Sequence, residues 1–326
     1  MNALRCHAFG PIDNLRVENI PTPVPAAGQV LVDVHAASIN YPDTLMVQGL
    51  YQVKPPLPFT PGAELSGVVS AVGEGIQHIR VGDRVVCSTG TGAFAEQALA
   101  EASRVLPLPK GMDFDVGASF VLAYGTSLHA LQTIGRLQPD ETLMVLGAAG
   151  GVGIAAVEIA KAMGARVIAA ASSNEKRALA KQAGADETID YTQPDWRREV
   201  ERLTNGEGAD VVYDAVGGAY AETALRATAW RGRYLVVGFA AGEIPKLPLN
   251  LILLKERAIL GVFWGAAMRK DPQQLEVDLK QLSDWFQQGK VKPPVTERVT
   301  LEQAASAMVR LSTRQAMGKL VVLPRG

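Results

Sequence analysis

At 326 residues the chain is long for one ordinary domain and suited to two. Apolar residues make up 48% of it and aromatics only 6%, a balance that favours strands packed closely against helices in an α/β protein. With 32 Lys and Arg against 33 Asp and Glu and no long run of one sign, the sequence suggests neither a broad basic face for nucleic acid nor a polybasic membrane anchor.

The chain opens with no basic start leading into an apolar stretch, so no secretory leader is expected and the cytoplasm is the expected location. The two cysteines, Cys6 and Cys87, have no spacing that pairs them and read as reduced thiols. Up to about residue 120 the sequence is rich in Pro, Gly and short β-type runs. Residues 28–36 alternate after a Gly turn, 65–72 form a second run ended by Gly73-Glu74-Gly75, and 81–86 turn into a third. Many short strands separated by turns predict a β-rich barrel or sandwich-like domain.

Near residue 121 the texture changes to strands alternating with helices. Strands are predicted at 143–146, 166–171, 210–214 and 234–238, with helices over 152–163 and 175–183, the second stopped by Gly184. This βαβ rhythm predicts a parallel, doubly wound sheet. The most apolar stretch, 143–163, is interrupted by glycines, Glu158 and Lys161, which argues against a membrane span. A helix over 273–288, a short helix over 301–311 and a last strand over 319–323 close the chain.

The strand at 143–146 runs into Gly147-Ala148-Ala149-Gly150-Gly151-Val152-Gly153 and then a helix. Glycines there allow a tight turn and close approach, and a helix N-terminus offers N–H groups and a positive dipole end to a pyrophosphate. Ala148 replaces the first glycine of the usual pattern, while Gly150 and Gly153 are kept; the flanking strand and helix supply the context the pattern requires. The next strand ends at Ala170-Ala171-Ser172-Ser173, with no acid to hold a ribose 2′-hydroxyl. Lys176 follows shortly, so a 2′-phosphate is accommodated and NADPH is expected as cofactor. Arg177 is expected on an ordinary solvated helix face. None of His7, His35, His78 and His129 has metal or triad spacing, and no Gly-x-Ser-x-Gly elbow is present.

Ser38-Ile39-Asn40-Tyr41-Pro42-Asp43-Thr44, Gln48-Gly49-Leu50-Tyr51, Pro61-Gly62-Ala63-Glu64-Leu65-Ser66-Gly67, Val81-Gly82-Asp83-Arg84-Val85, Gly125-Thr126-Ser127 and the glycine turn together resemble the medium-chain dehydrogenase/reductase superfamily, in its quinone oxidoreductase and zeta-crystallin branch. The resemblance covers the whole chain. It implies a GroES-like β domain over 1–121 and 292–326, and a Rossmann NADPH-binding domain over 122–291, with NADPH and the acceptor in the cleft between them. Zinc members carry Cys where this chain has Asn40 and His where it has Ala63, and often a four-Cys lobe where only Cys87 stands here. No metal is therefore expected. Without a Lewis acid an alcohol is not readily ionised, so quinones, enones or acrylyl-type compounds become the expected substrates.

The resemblance places Asn40, Tyr51 and Thr126 at the reacting end. It implies Ala149, Gly150, Gly151, Val152, Gly153, Gly238 and Phe263 beside the cofactor, and Ser172, Lys176, Tyr191 and Arg314 around the adenosine phosphate. Leu45 stands where relatives often have a second aromatic, and Tyr41 fits either a pocket wall or plain core. Two other activities stay open: reduction of α,β-unsaturated carbonyls or acyl-CoA thioesters, and a non-catalytic structural or RNA-binding role. The apolar stretch 249–265, with a strand predicted over 258–263 at the end of the sheet order, implies a homodimer through that edge.

Overall fold

The computed structural model describes residues 1–326 and divides into two compact units, Met1–Leu122 with Pro293–Gly326, and Ala123–Lys292. The first unit opens with an antiparallel pair, β1 (Asn2–Arg5) and β2 (Arg16–Asn19). It continues through β3 (Gln29–Ser38), α1 (Tyr41–Val47), β4 (Glu64–Val72), β5 (Arg84–Ser88), β6 (Gln97–Glu101), β7 (Val105–Pro107) and α2 (Phe114–Ala118). Pro42 in the first turn of α1 costs no hydrogen bond there, because the first helical N–H groups have no intrahelical partner.

α3 (Val121–Leu128) runs on into a π-helical stretch at His129–Ile134. The second unit then alternates: β8 (Thr142–Leu146), α4 (Gly151–Ala162), β9 (Arg166–Ala170), α5 (Asn174–Gln182), β10 (Glu187–Ile189), α6 (Trp196–Leu203), β11 (Ala209–Asp214), α7 (Ala221–Arg226), β12 (Thr228–Val236), α8 (Asn250–Leu253) and β13 (Ala258–Gly261). α9 (Trp264–Lys270) and α10 (Pro272–Gln287) follow. The six strands form one parallel sheet in the order β10-β9-β8-β11-β12-β13. Chain direction across the sheet reverses between β8 and β11, the switch point outside which open α/β sheets bind ligands. Leu143, Met144, Val145 and Leu146 have no exposure, as expected of a strand covered on both faces.

The chain then returns to the first unit with β14 (Val295–Val299), α11 (Leu301–Ser312) and β15 (Lys319–Val322). The sheet there runs β14-β15-β3-β4-β5-β7, with β6 also on β3. Thus β15, β3 and β4 are neighbours, and this adjacency builds the polar cluster described below.

Two of the differences from the sequence prediction fall at the far edge of the parallel sheet. The strand predicted over 258–263 ends at Gly261: Val262 N still bonds Val236 O, but Phe263 already leads into α9. The strand predicted to begin at 234 extends back to Thr228. Cys6 and Cys87 are unpaired and buried, and burial raises both thiols above their ordinary range. No helix is long and apolar enough to cross a membrane.

Candidate functional site

In the second unit the glycine turn is drawn tight against the end of β9. Gly147 N and Ala148 N both donate to Ala170 O, at 3.1 and 3.2 Å, and Gly147 has a left-handed φ of 72°. A Cβ on Gly153 would lie 2.2 Å from Gly147 O, so only glycine lets α4 begin this close to the turn. The N-cap of α4 is Gly150, which has no side chain to bond the first-turn N–H groups of Gly151, Val152 and Gly153. Those N–H groups and the helix dipole suit an anion. Beside the turn, Asp214 Oδ1 accepts from Val216 N at 2.8 Å and Gly217 N at 2.9 Å, and Oδ2 accepts from Tyr234 Oη. Burial raises the Asp214 carboxyl above its ordinary range. Sequence reading missed Asp214; its only signal was an acid closing an apolar strand. Gly238 N bonds Asp214 O at 3.3 Å, which sets the segment after β12 against this same loop.

At the end of β9, Ser172 is half-buried and Ser173 N-caps α5, its side chain accepting from Lys176 N. Lys176 is half-buried. Arg177 departs from expectation. Its side chain is only 19% exposed, pairs with Asp190 at 2.9 Å, donates to Ala171 O at 3.3 Å and contacts Asn174 Oδ1. It is therefore a strut joining the exits of β9 and β10 and not a solvated face. It points back along α5, as helical side chains do, over the loop at 171–174. Tyr191 is 7% exposed in the core, its ring 4.6 Å from that of Tyr220. The structure thus brings Ser172, Lys176 and Tyr191 to the same end of the sheet. Arg314 belongs to the first unit, where it is exposed after α11 and acts electrostatically on Tyr41. Phe263 is 50% exposed, at the N-cap of α9.

Thr126 is half-buried on α3 between two locked neighbours. A Cβ on Gly125 would lie 2.4 Å from the Trp264 ring, so that indole fills the space a side chain would need. Ser127 Oγ donates to Val152 O at 2.8 Å and contacts Tyr213 Oη at 2.9 Å. The triplet Gly125-Thr126-Ser127 is thereby tied to the first turn of α4.

In the first unit Asn40 lies in a buried polar cluster. Asn40 Nδ2 donates to Glu64 Oε1 at 2.9 Å and to Ser38 O at 3.2 Å, while Lys319 Nζ donates to Asn40 Oδ1 at 2.7 Å and to Glu64 Oε1 at 3.3 Å. The side chains of Lys319 and Glu64 are 4% and 1% exposed. Leu122 N closes the other carboxylate oxygen at 2.8 Å, and Asn40 N donates to Asp43 Oδ2 at 2.8 Å. Burial drives the Asp43 carboxyl up to about 7, with Glu64 adding to the rise and Lys319 opposing it. Glu64 and Lys319 were not singled out from the sequence. The signals were a lone acid opening a strand and a lone lysine in the apolar run Leu320-Val321-Val322. Tyr51 is half-buried against the core of this unit, and Leu45 and Tyr41 are half-buried on α1.

The donor set beside Asn40 does not fit a divalent cation. Ala63 has no ligand atom, and the amide oxygen of Asn40 faces the Lys319 ammonium. No three His, Cys, Asp or Glu side chains converge elsewhere.

Residues 26–110 match the family model described as the alcohol dehydrogenase GroES-like domain, and residues 151–283 match that of the zinc-binding dehydrogenases. The chain is 38% identical to quinone oxidoreductase-like protein 2 homolog of Nematostella vectensis, over 98% of this chain and 88% of that one. It is 33% identical to the quinone oxidoreductase of Rattus norvegicus, over 99% and 98%. The crystal structure of Escherichia coli quinone oxidoreductase complexed with NADPH superposes with a TM-score of 0.91 at 29% identity, covering 99% of this chain and 100% of that one.

Proposed function

Because the chain belongs to the quinone oxidoreductase branch of the medium-chain dehydrogenase/reductase superfamily, we propose that it reduces a quinone or similarly activated acceptor with NADPH and without zinc. The chain is an NADPH-dependent oxidoreductase. The acceptor class rests on one observation, the Lys319 ammonium 2.7 Å from Asn40 Oδ1. That ammonium engages the oxygens of Asn40 and Glu64 that a metal would need, so no Lewis acid is held there to ionise an alcohol, and an electron-poor acceptor is favoured.

When bound, NADPH supplies the hydride, and the chain binds, orients and dries the reacting pair. Ala149, Gly150 and the N–H groups of Gly151, Val152 and Gly153 hold the pyrophosphate. Ser172, Lys176 and Tyr191 receive the 2′-phosphate, with Arg314 contributing charge. Gly238, Phe263, Thr126 and Asn40 line the nicotinamide half, and Tyr51 faces the acceptor. The two buried, unpaired thiols suit a reducing compartment such as the cytoplasm. The edge strand β13, bonded on one side only to β12, supports a homodimer.

Metal content tests the reading. Protein purified without chelator should hold far less than one zinc per chain, and its quinone-dependent NADPH oxidation should survive chelation. Stoichiometric zinc, or activity lost to chelator and restored by zinc, contradicts it.

A further inference from the structure

We propose that Lys319 and Glu64 are positioning residues that lock the Asn40 amide in one orientation, so that Asn40 meets its ligand as a hydrogen-bond acceptor and never as a donor. The inference rests on the proposed function in one respect, the placing of Asn40 beside the reacting pair.

An asparagine amide has two N–H donors and one oxygen with two lone pairs, and nothing in its shape distinguishes its ends. Here the partners do. A lysine ammonium can only donate, so the atom 2.7 Å from Lys319 Nζ is the oxygen. An ionised carboxylate can only accept, so the atom 2.9 Å from Glu64 Oε1 is the nitrogen. The second N–H is committed to Ser38 O at 3.2 Å. Both donors are therefore consumed within the protein, and one lone pair on Oδ1 remains. Asn40 is 6% exposed, so its amide is largely shielded from water. The backbone is held as well, by Asn40 N to Asp43 Oδ2.

The chemical consequence is definite. Asn40 cannot polarise an acceptor carbonyl by donating to it. It recognises an O–H or N–H group: a hydroxyl or carboxamide on the bound cofactor, or the hydroxyl that forms on the reduced acceptor. A flipped amide would present N–H instead and meet such a group with a clash of donors.

The test begins with the side-chain amide of Asn40 in protein labelled with 15N-asparagine, its resonances assigned by their loss in Asn40→Ser. In the wild type both amide protons should exchange with solvent at least tenfold more slowly than those of exposed Asn205, with or without NADPH. Glu64→Leu, which has no acceptor oxygen, should remove that protection. In Lys319→Met, and in Glu64→Leu, kcat should fall tenfold or more in protein whose thermal transition shows it folded, and Lys319→Arg should recover much of the loss in Lys319→Met. Fluorescence titration with NADPH separates the two sources of the donor. A weaker NADPH Kd in Lys319→Met assigns it to the cofactor; an unchanged Kd with reduced kcat assigns it to the reduced acceptor. Asn40 protons exchanging as fast as those of Asn205, or wild-type kcat in folded Lys319→Met, would overturn the inference. Should the wild type leave NADPH unoxidised with every quinone and enone offered, the proposed activity fails instead, and the exchange rates still decide the clamp.

Discussion

Asp43 has no exposure, and its carboxyl titrates at about 7 because burial penalises the charged form. Between the ordinary value of 3.8 and about 7 the folded chain keeps a proton that the unfolded chain releases. The raised value therefore gives a contribution to stability that is full below 3.8 and is lost as pH rises through about 7. Asp43→Asn keeps the shape and cannot ionise. In urea unfolding, the stability of the variant relative to wild type should improve by on the order of 2 kcal/mol between pH 5 and pH 8; parallel curves would show that the carboxyl is not perturbed. In the second unit, Lys176, proposed to meet the 2′-phosphate, and Arg177, paired with Asp190, are adjacent in sequence. Lys176→Ala should weaken NADPH about tenfold to a hundredfold while leaving NADH nearly unchanged, the loss of roughly 1.5–3 kcal/mol expected of a charged hydrogen bond. Arg177→Ala removes a strut to Asp190 and Ala171 O, so it should weaken both cofactors by a similar factor. Titrations with NADPH and NADH distinguish the two, and a selective loss of NADPH in Arg177→Ala would make Arg177 a phosphate ligand.

At the scale of elements, β13 has the most to explain. It is four residues long and pairs only with β12, and the sequence flanking it carries exposed Leu249, Leu253, Leu254 and Phe263. An apolar edge with unpaired N–H and C=O groups invites pairing or aggregation unless something covers it. A second copy across a two-fold axis would cover it and continue the sheet. Ile259→Lys should accordingly give monomers, or lose soluble protein, in light scattering at micromolar concentration; a monomeric wild type would count against the dimer. The parallel sheet was legible from sequence because its strands are short apolar runs punctuated by glycine and followed by helical segments, and periodicity reports that directly. Strand ends were less legible. β13 stops at Gly261 because the backbone turns at Phe263 to start α9, and the apolar residues continue past the turn.

For the molecule as a whole, the glycine turn and the absence of an acid after β9 are local in sequence, so the proposal for the cofactor end draws on contiguous residues. The Asn40 cluster could not. Its members are 24 and 279 residues from Asn40 and meet only because β15, β3 and β4 are neighbours in the sheet. Arg177 was misread for a related reason: its partner Asp190 sits beyond the next strand, β10, and neither residue alone announces an ion pair. The central claim, hydride delivery from NADPH to an electron-poor acceptor, is tested most directly by initial rates of NADPH oxidation with a panel of quinones, enones and aldehydes, beside NADP⁺ reduction with alcohols. The account predicts turnover with quinones above all others, a clear preference for NADPH over NADH, and no measurable alcohol oxidation. Alcohol oxidation as the fastest reaction, or NADPH left unconsumed by every quinone tried, would contradict it.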